Sequence, residues 1–170
     1  AASDVYKRQV ISGSENTRPF ECDGLSVYKQ EPLAVVLPSE VGQIKKVLEI
    51  CRQNNTPVVT RGAGTGLSGG AMPLKDSVVL GLSKLTNIIS IDQNARTALV
   101  QPGVRNLAIS EAAEEFGLYY APDPSSQIAC TIGGNVAENA GGVHCLKYGL
   151  TVQNIESLKI EFWKENSNRI

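Results

Sequence analysis

Residues Arg61-Gly62-Ala63-Gly64-Thr65-Gly66-Leu67-Ser68-Gly69-Gly70 place five glycines in ten positions, directly after the apolar run Pro57-Val58-Val59-Thr60. Glycine reaches positive φ without a Cβ clash and lets another molecule approach the main chain. A strand ending in such a loop presents a row of backbone N–H donors, a concave site for anionic oxygens. The chemistry indicated is the binding of a phosphate or diphosphate. Gly64, Gly66 and Gly69 satisfy G-x-G-x-x-G, but that dinucleotide fingerprint requires an immediate helix and an acid about 20 residues on. Ala71-Met72-Pro73 follows instead, and then Ser77-Val78-Val79-Leu80-Gly81-Leu82, which reads as another strand. A Walker loop ends in Gly-Lys-Ser/Thr, and Gly69-Gly70-Ala71 offers no lysine. A flexible linker is the bland alternative, and linkers are seldom bracketed by two β-branched runs.

A second segment, Pro122 to Gly142, is dominated by small residues, with amides at Asn135 and Asn139 and strong apolar side chains only at Ile128, Ile132 and Val136. Small side chains let a large planar ligand lie against the backbone, while main-chain and Asn groups bond its edges. A heteroaromatic cofactor carrying a diphosphate needs both features, an anion cradle and a flat backbone-lined slot.

These stretches resemble a known family. Arg61 to Gly70, Pro122-Asp123-Pro124-Ser125-Ser126 and Gly133-Gly134-Asn135-Val136-Ala137-Glu138-Asn139-Ala140-Gly141-Gly142 are similar to the FAD-binding domain of the vanillyl-alcohol-oxidase superfamily. The nearest likeness is to the branch holding bacterial glycolate oxidase flavin subunits and D-lactate dehydrogenases. It runs from about Phe20-Glu21-Cys22-Asp23-Gly24 to about Leu158. The resemblance implies an α+β fold, a two-subdomain PCMH-type FAD-binding domain that here stops before its last strands. It implies noncovalent FAD, with the diphosphate on Arg61, Gly62, Ala63, Gly64, Thr65, Gly66, Leu67, Ser68, Gly69 and Gly70. Pro122, Asp123, Ser126, Thr131, Gly133, Gly134, Asn135, Ala137, Asn139, Ala140, Gly141 and Gly142 would line the flavin and ribityl chain. The implied activity is oxidation of a small 2-hydroxy acid, glycolate or D-lactate, to the 2-oxo acid, with electrons passing to an iron–sulfur partner subunit. The substrate domain of such proteins follows the flavin domain, so residues 20–170 read as an incomplete FAD-binding domain. Alone, they are expected to bind FAD weakly and turn over no substrate. No catalytic residue is assigned within the chain. Two alternatives stay open: a flavin reductase domain of the same fold acting on another substrate, and an inactive truncated module.

The bulk properties are compatible. The 170 residues carry a formal net charge of −1 with both signs mixed, which gives nucleic acid no basic surface to bind. No apolar run reaches the roughly 18 residues of a membrane span. Ala1 to Gln9 joins no periodic pattern, and residues 1–19 are read as an N-terminal extension. Cys22, Cys51, Cys130 and Cys145 show no C-x-x-C spacing, so a metal site is not indicated. Scattered thiols fit a reducing compartment, so a cytoplasmic protein is expected, peripheral to the inner membrane through its partners. His144, the single histidine, reads as a hydrogen-bonded or flavin-edge imidazole rather than a covalent anchor or metal ligand. Arg61 reads as an electrostatic contact or a structural ion pair, and Lys147 as solvated.

The elements that must position these loops follow from periodicity. Leu33 to Leu37 is an apolar run stopped by Pro38, a buried strand. Ser39 is expected to cap a helix through Val41, Ile44, Val47, Leu48 and Cys51. Val58–Thr60 and Val78–Leu82 are strands, the first following the helix by a parallel crossover. Ile88–Asp92 and Thr97–Val100 flank a turn and predict a hairpin. Asn106 is expected to cap a helix that Gly117 ends, and the alternation from Ile155 to Phe162 predicts a further strand.

Overall fold

The computed structural model describes residues 9–161. Its architecture is mixed helix and sheet, as expected, with two separate sheets. The first holds β1 (Val10–Ile11), β2 (Ala34–Val36), β3 (Val58–Arg61) and β4 (Val78–Gly81) in the order β1-β2-β4-β3. Both β2 and β3 run parallel to β4, with Val35 and Val59 each opposite Val79. All four residues of β4 are buried, which is why this segment is a continuous apolar run. Gln9 and β1, assigned above to the N-terminal extension, join this sheet: Val10 pairs with Val36, and Leu37 N–H donates to Gln9 O.

Between β1 and β2 lie a single helical turn, α1 (Ser14–Thr17), and a 3-10 turn, Arg18–Phe20. Helix α2 (Val41–Gln53) connects β2 to β3 and buries Cys51. Its cap differs from the sequence reading. Glu40 occupies the N-cap without a side-chain bond, while Ser39 N–H donates to Gln43 Oε1.

The second sheet is the expected hairpin, β5 (Ile88–Asp92) antiparallel to β6 (Thr97–Val100), with a register irregularity between Ile88 and Ser90. Helix α3 (Asn106–Ala113) follows and tightens into a 3-10 turn, Glu114–Phe116, ended by Gly117 at φ +67°. Here the cap is displaced the other way, one residue earlier than expected: Arg105 is the N-cap, and Asn106 is buried inside the first turn. Val104, Ile109 and Ile132 form the core of this half, with Ile88, Val100, Tyr120 and Ile155 against it.

Three helices were not foreseen, and the longest of them runs against local propensity. α4 (Ile132–Glu138) begins with Gly133 and Gly134, each of which costs about 1 kcal/mol relative to alanine. Two features offset this. Thr131 Oγ1 accepts from Gly134 N–H at 3.4 Å as an N-cap, and Ile132 is buried in the core. Gly133 is small because a Cβ there would stand 2.8 Å from Pro102 Cβ. The short α5 (Cys145–Tyr148) and a 3-10 turn, Thr151–Asn154, complete the regular elements.

The strand expected over Ile155–Phe162 is corrected. Residues 155–161 have no regular structure and Phe162 lies outside the described residues. Ile155 is extended and packs on the core, but no described strand offers this segment a ladder, and alternation alone does not make a strand without one.

Candidate functional site

The glycine loop leaves β3 and returns to β4 with no helix in between. Its base rests on residues 20–24. Arg61 Nη1 donates to Cys22 O at 2.6 Å, its guanidinium stands 5.6 Å from the Phe20 ring centroid, and Gly24 N–H donates to Gly66 O at 2.9 Å. Arg61 therefore braces the loop from within. Burial pulls its pKa down, opposed by the Cys22 and Asp23 charges. A Cβ on Gly64 would strike that guanidinium.

Among the described residues, no backbone N–H of positions 62–70 donates a hydrogen bond. A run of main-chain donors with no protein acceptor is geometry that can receive anionic oxygens. Gly69, at φ +77°, has open space where a Cβ would stand. Gly62 and Gly64 are small for a different reason: the protein itself packs there. A Cβ on Gly62 would strike Thr131 Oγ1, and Cβ atoms on Gly66 and Gly70 would lie 3.4 and 2.8 Å from Glu138 Oε1. The two glycine segments that the sequence assigned to one cofactor thus touch, with α4 lying along the loop. Ala63, Thr65, Leu67 and Ser68 complete its rim, Leu67 being 72 % exposed.

On the far side of α4 the chain turns at Asn139, in the left-handed region. Beyond it, the N–H groups of Gly141, Gly142 and Val143 also have no acceptor among the described residues. They border a cleft of about 440 Å³ lined by Asp123, Ser125, Gly141, Gly142, Val143 and Cys145. Gly142 lies so close to Asp123 that a Cβ would overlap its carboxylate and carbonyl. A second cleft of about 530 Å³, lined by Val136, Asn139, Thr151, Val152 and Ile155, opens beside it.

The expected edge-binding amides are engaged internally. Asn135 is buried and its Oδ1 accepts from Asn106 Nδ2 at 3.0 Å; Asn139 Oδ1 accepts from Val152 N–H at 3.0 Å. Asn106 also donates to Pro122 O at 3.0 Å, so one buried amide ties the two halves of the second segment together. Ser126 O accepts from Ala129 and Cys130 N–H, and Ala140 O accepts from Thr151. Ala137 is exposed.

His144 has a partner that the sequence did not reveal. Its Nδ1 lies 2.6 Å from Asp123 Oδ2, and its backbone N–H donates to Oδ1 at 3.4 Å. This hydrogen bond from His144 holds the Asp123 carboxyl below the usual carboxylate range. The contact leaves Nε2 without a protein partner among the described residues. The imidazole packs at 6.4 Å on Tyr148, whose ring lies beneath Lys147 Nζ at 4.9 Å. The four cysteines are free thiols, and the described residues bring no three metal-ligating side chains together.

The sequence pattern of the family described as FAD binding domain matches residues 32–164. The chain belongs to that family. This FAD-binding domain is 60 % identical over 153 residues to glycolate oxidase subunit GlcD of Escherichia coli K12, covering 90 % of this chain and 30 % of that protein. It is 41 % identical over 165 residues to the Bacillus subtilis subunit of the same name, covering 92 % and 35 %. It is 34 % identical over 158 residues to D-lactate dehydrogenase of Anaerostipes hadrus, covering 92 % and 33 %. The chain thus spans about a third of the length of these relatives. Among solved structures, p-cresol methylhydroxylase superposes with a TM-score of 0.70 at 26 % identity, covering 79 % of this chain and 27 % of that one. Alkyldihydroxyacetonephosphate synthase gives 0.75 at 20 % identity, covering 85 % and 28 %, which is a likeness of fold alone. The FAD-binding domain therefore has the PCMH-type fold, and FAD is the cofactor of its family.

Proposed function

We propose that this chain is the FAD-holding part of an oxidoreductase that converts a small 2-hydroxy acid, glycolate or D-lactate, to the 2-oxo acid. The supporting observation is the fit of the residues to the cofactor: the acceptor-less N–H row of residues 62–70, open above Gly69, suits a diphosphate. Gly141, Gly142 and Asp123 wall a cleft whose own N–H groups are free to meet a polar ring edge. When bound, FAD supplies a two-electron acceptor for the hydride leaving C2 of the acid. The chain's contribution is to hold and orient it: the loop amides neutralise the diphosphate, Arg61 keeps that loop in shape, and Asn106 fixes the wall at Pro122. The binding proposed is noncovalent, as the resemblance of the run Gly141–Gly149 to the glycolate-oxidase-like branch implies. Named relatives support the substrate class. Electron transfer to an iron–sulfur subunit, a cytoplasmic location and attachment to the inner membrane through partners complete the proposal. Among the described residues no helix is long and apolar enough to cross a membrane.

The test is the visible spectrum of the purified full-length protein and of its Gly66→Asp variant. Wild type should be yellow and should release all its flavin to the supernatant on acid precipitation. Gly66→Asp, which adds a second carboxylate beside Glu138, should fold but purify colourless. A yellow Gly66→Asp protein with full flavin content would refute the diphosphate assignment.

A further inference from the structure

The cradle already has an anion at its edge. Glu138, the last residue of α4, extends its carboxylate over the loop: Oε2 accepts from Ser68 Oγ at 2.5 Å, and Oε1 faces the vacant Cβ positions of Gly66 and Gly70. A carboxylate at a helix C-terminus stands against the negative end of the helix dipole. Nothing within α4 favours it there, and its hydrogen-bond partner lies across the gap, at the Ser68 hydroxyl of the loop. Glu138 is exposed, so it can leave by rotating its side chain into water. From these contacts we infer that Glu138 is a built-in competitor of the cofactor diphosphate. It occupies the mouth of the loop when the diphosphate is absent and must be displaced, or be repelled at close range, when the diphosphate arrives.

The inference rests on the FAD reading and adds a residue that sets the affinity of that site. A carboxylate near a diphosphate in a water-exposed loop is worth about three- to tenfold in affinity and is screened by salt.

Apoprotein of wild type and of Glu138→Gln would be titrated with FAD, followed by flavin fluorescence, at about 0.05 M and about 0.5 M salt. The glutamine keeps the size of the side chain and an acceptor for Ser68, and removes the charge from a solvent-exposed position. The expected result is that Glu138→Gln binds FAD about three- to tenfold more tightly at low salt, with a smaller advantage at high salt. Equal or weaker binding by the variant would overturn the inference, as would a gain that salt leaves unchanged. If the wild type bound no FAD, the same comparison with ADP, which carries the diphosphate without the flavin, would decide it. Failure of both ligands to bind would sink the cofactor reading and the inference with it.

Discussion

His144 and Asp123, 21 positions apart, meet at 2.6 Å through side chains and again at 3.4 Å through the His144 backbone N–H. This double contact closes the turn at Gly142 onto the segment that begins at Pro122. Because it lowers the Asp123 pKa, its stabilisation is complete above the ordinary carboxylate value of about 3.9 and is lost as pH falls through the depressed folded value. His144→Phe should therefore melt below wild type at pH 5 to 6, and the gap should close below about pH 4. Melting curves across that range check it; a gap that stays constant to about pH 2 would show that the pair contributes no charge-linked stability. Both side chains reach solvent, at 63 % and 20 % exposure, so added salt should narrow the gap as well.

Gly142 has no room for a side chain, because a Cβ would overlap Asp123. Gly142→Ala is expected to force the two walls of the cleft apart, costing about 1–3 kcal/mol as overpacking does. The measurable outcome is urea unfolding at lower concentration together with flavin lost during purification. Full flavin content and unchanged stability would show that the cleft wall yields freely. By contrast, Gly69→Ala meets no neighbour and bears only the backbone strain of its positive φ.

Asn106 is 1 % exposed and its amide satisfies Pro122 O and Asn135 Oδ1 together. Asn106→Ala leaves Pro122 O without its side-chain donor and Asn135 Oδ1 with only the weak Cys130 thiol at 3.7 Å, and should destabilise by about 2–4 kcal/mol. For a chain of this size that is a fall in Tm of roughly 4–16 °C. A loss below about 0.5 kcal/mol would mean that water replaces the amide and the bridge is dispensable.

The sequence made the sheet elements legible because their apolar runs are continuous and their boundaries are glycine or proline, as at Leu33–Leu37 before Pro38. It also made the two glycine segments legible, since five glycines in ten positions have few physical explanations. What it hid were relationships that depend on tertiary packing. Asn106 looks like a cap from its neighbours in sequence, and only its burial shows that it bridges two distant backbone segments. The helix Ile132–Glu138 contradicts local propensity and exists because Ile132 and Thr131 outweigh two glycines. Glu138 carried no signal at all, because nothing in the chain order indicates that it reaches Ser68, 70 positions earlier. The run from Ile155 had the right alternation but no neighbouring strand.

β4 lies between two strands that both precede it in the chain, so neither β2 nor β3 gains its inner neighbour until residues 78–81 have been made. On a growing polypeptide these two strands face each other across an empty lane. The connection from Arg61 to Val78 is the segment that must fold back to fill it, and its shape is set only as that lane closes. A nascent chain that ends before Val78 consequently lacks the strand that fixes the far end of the glycine loop.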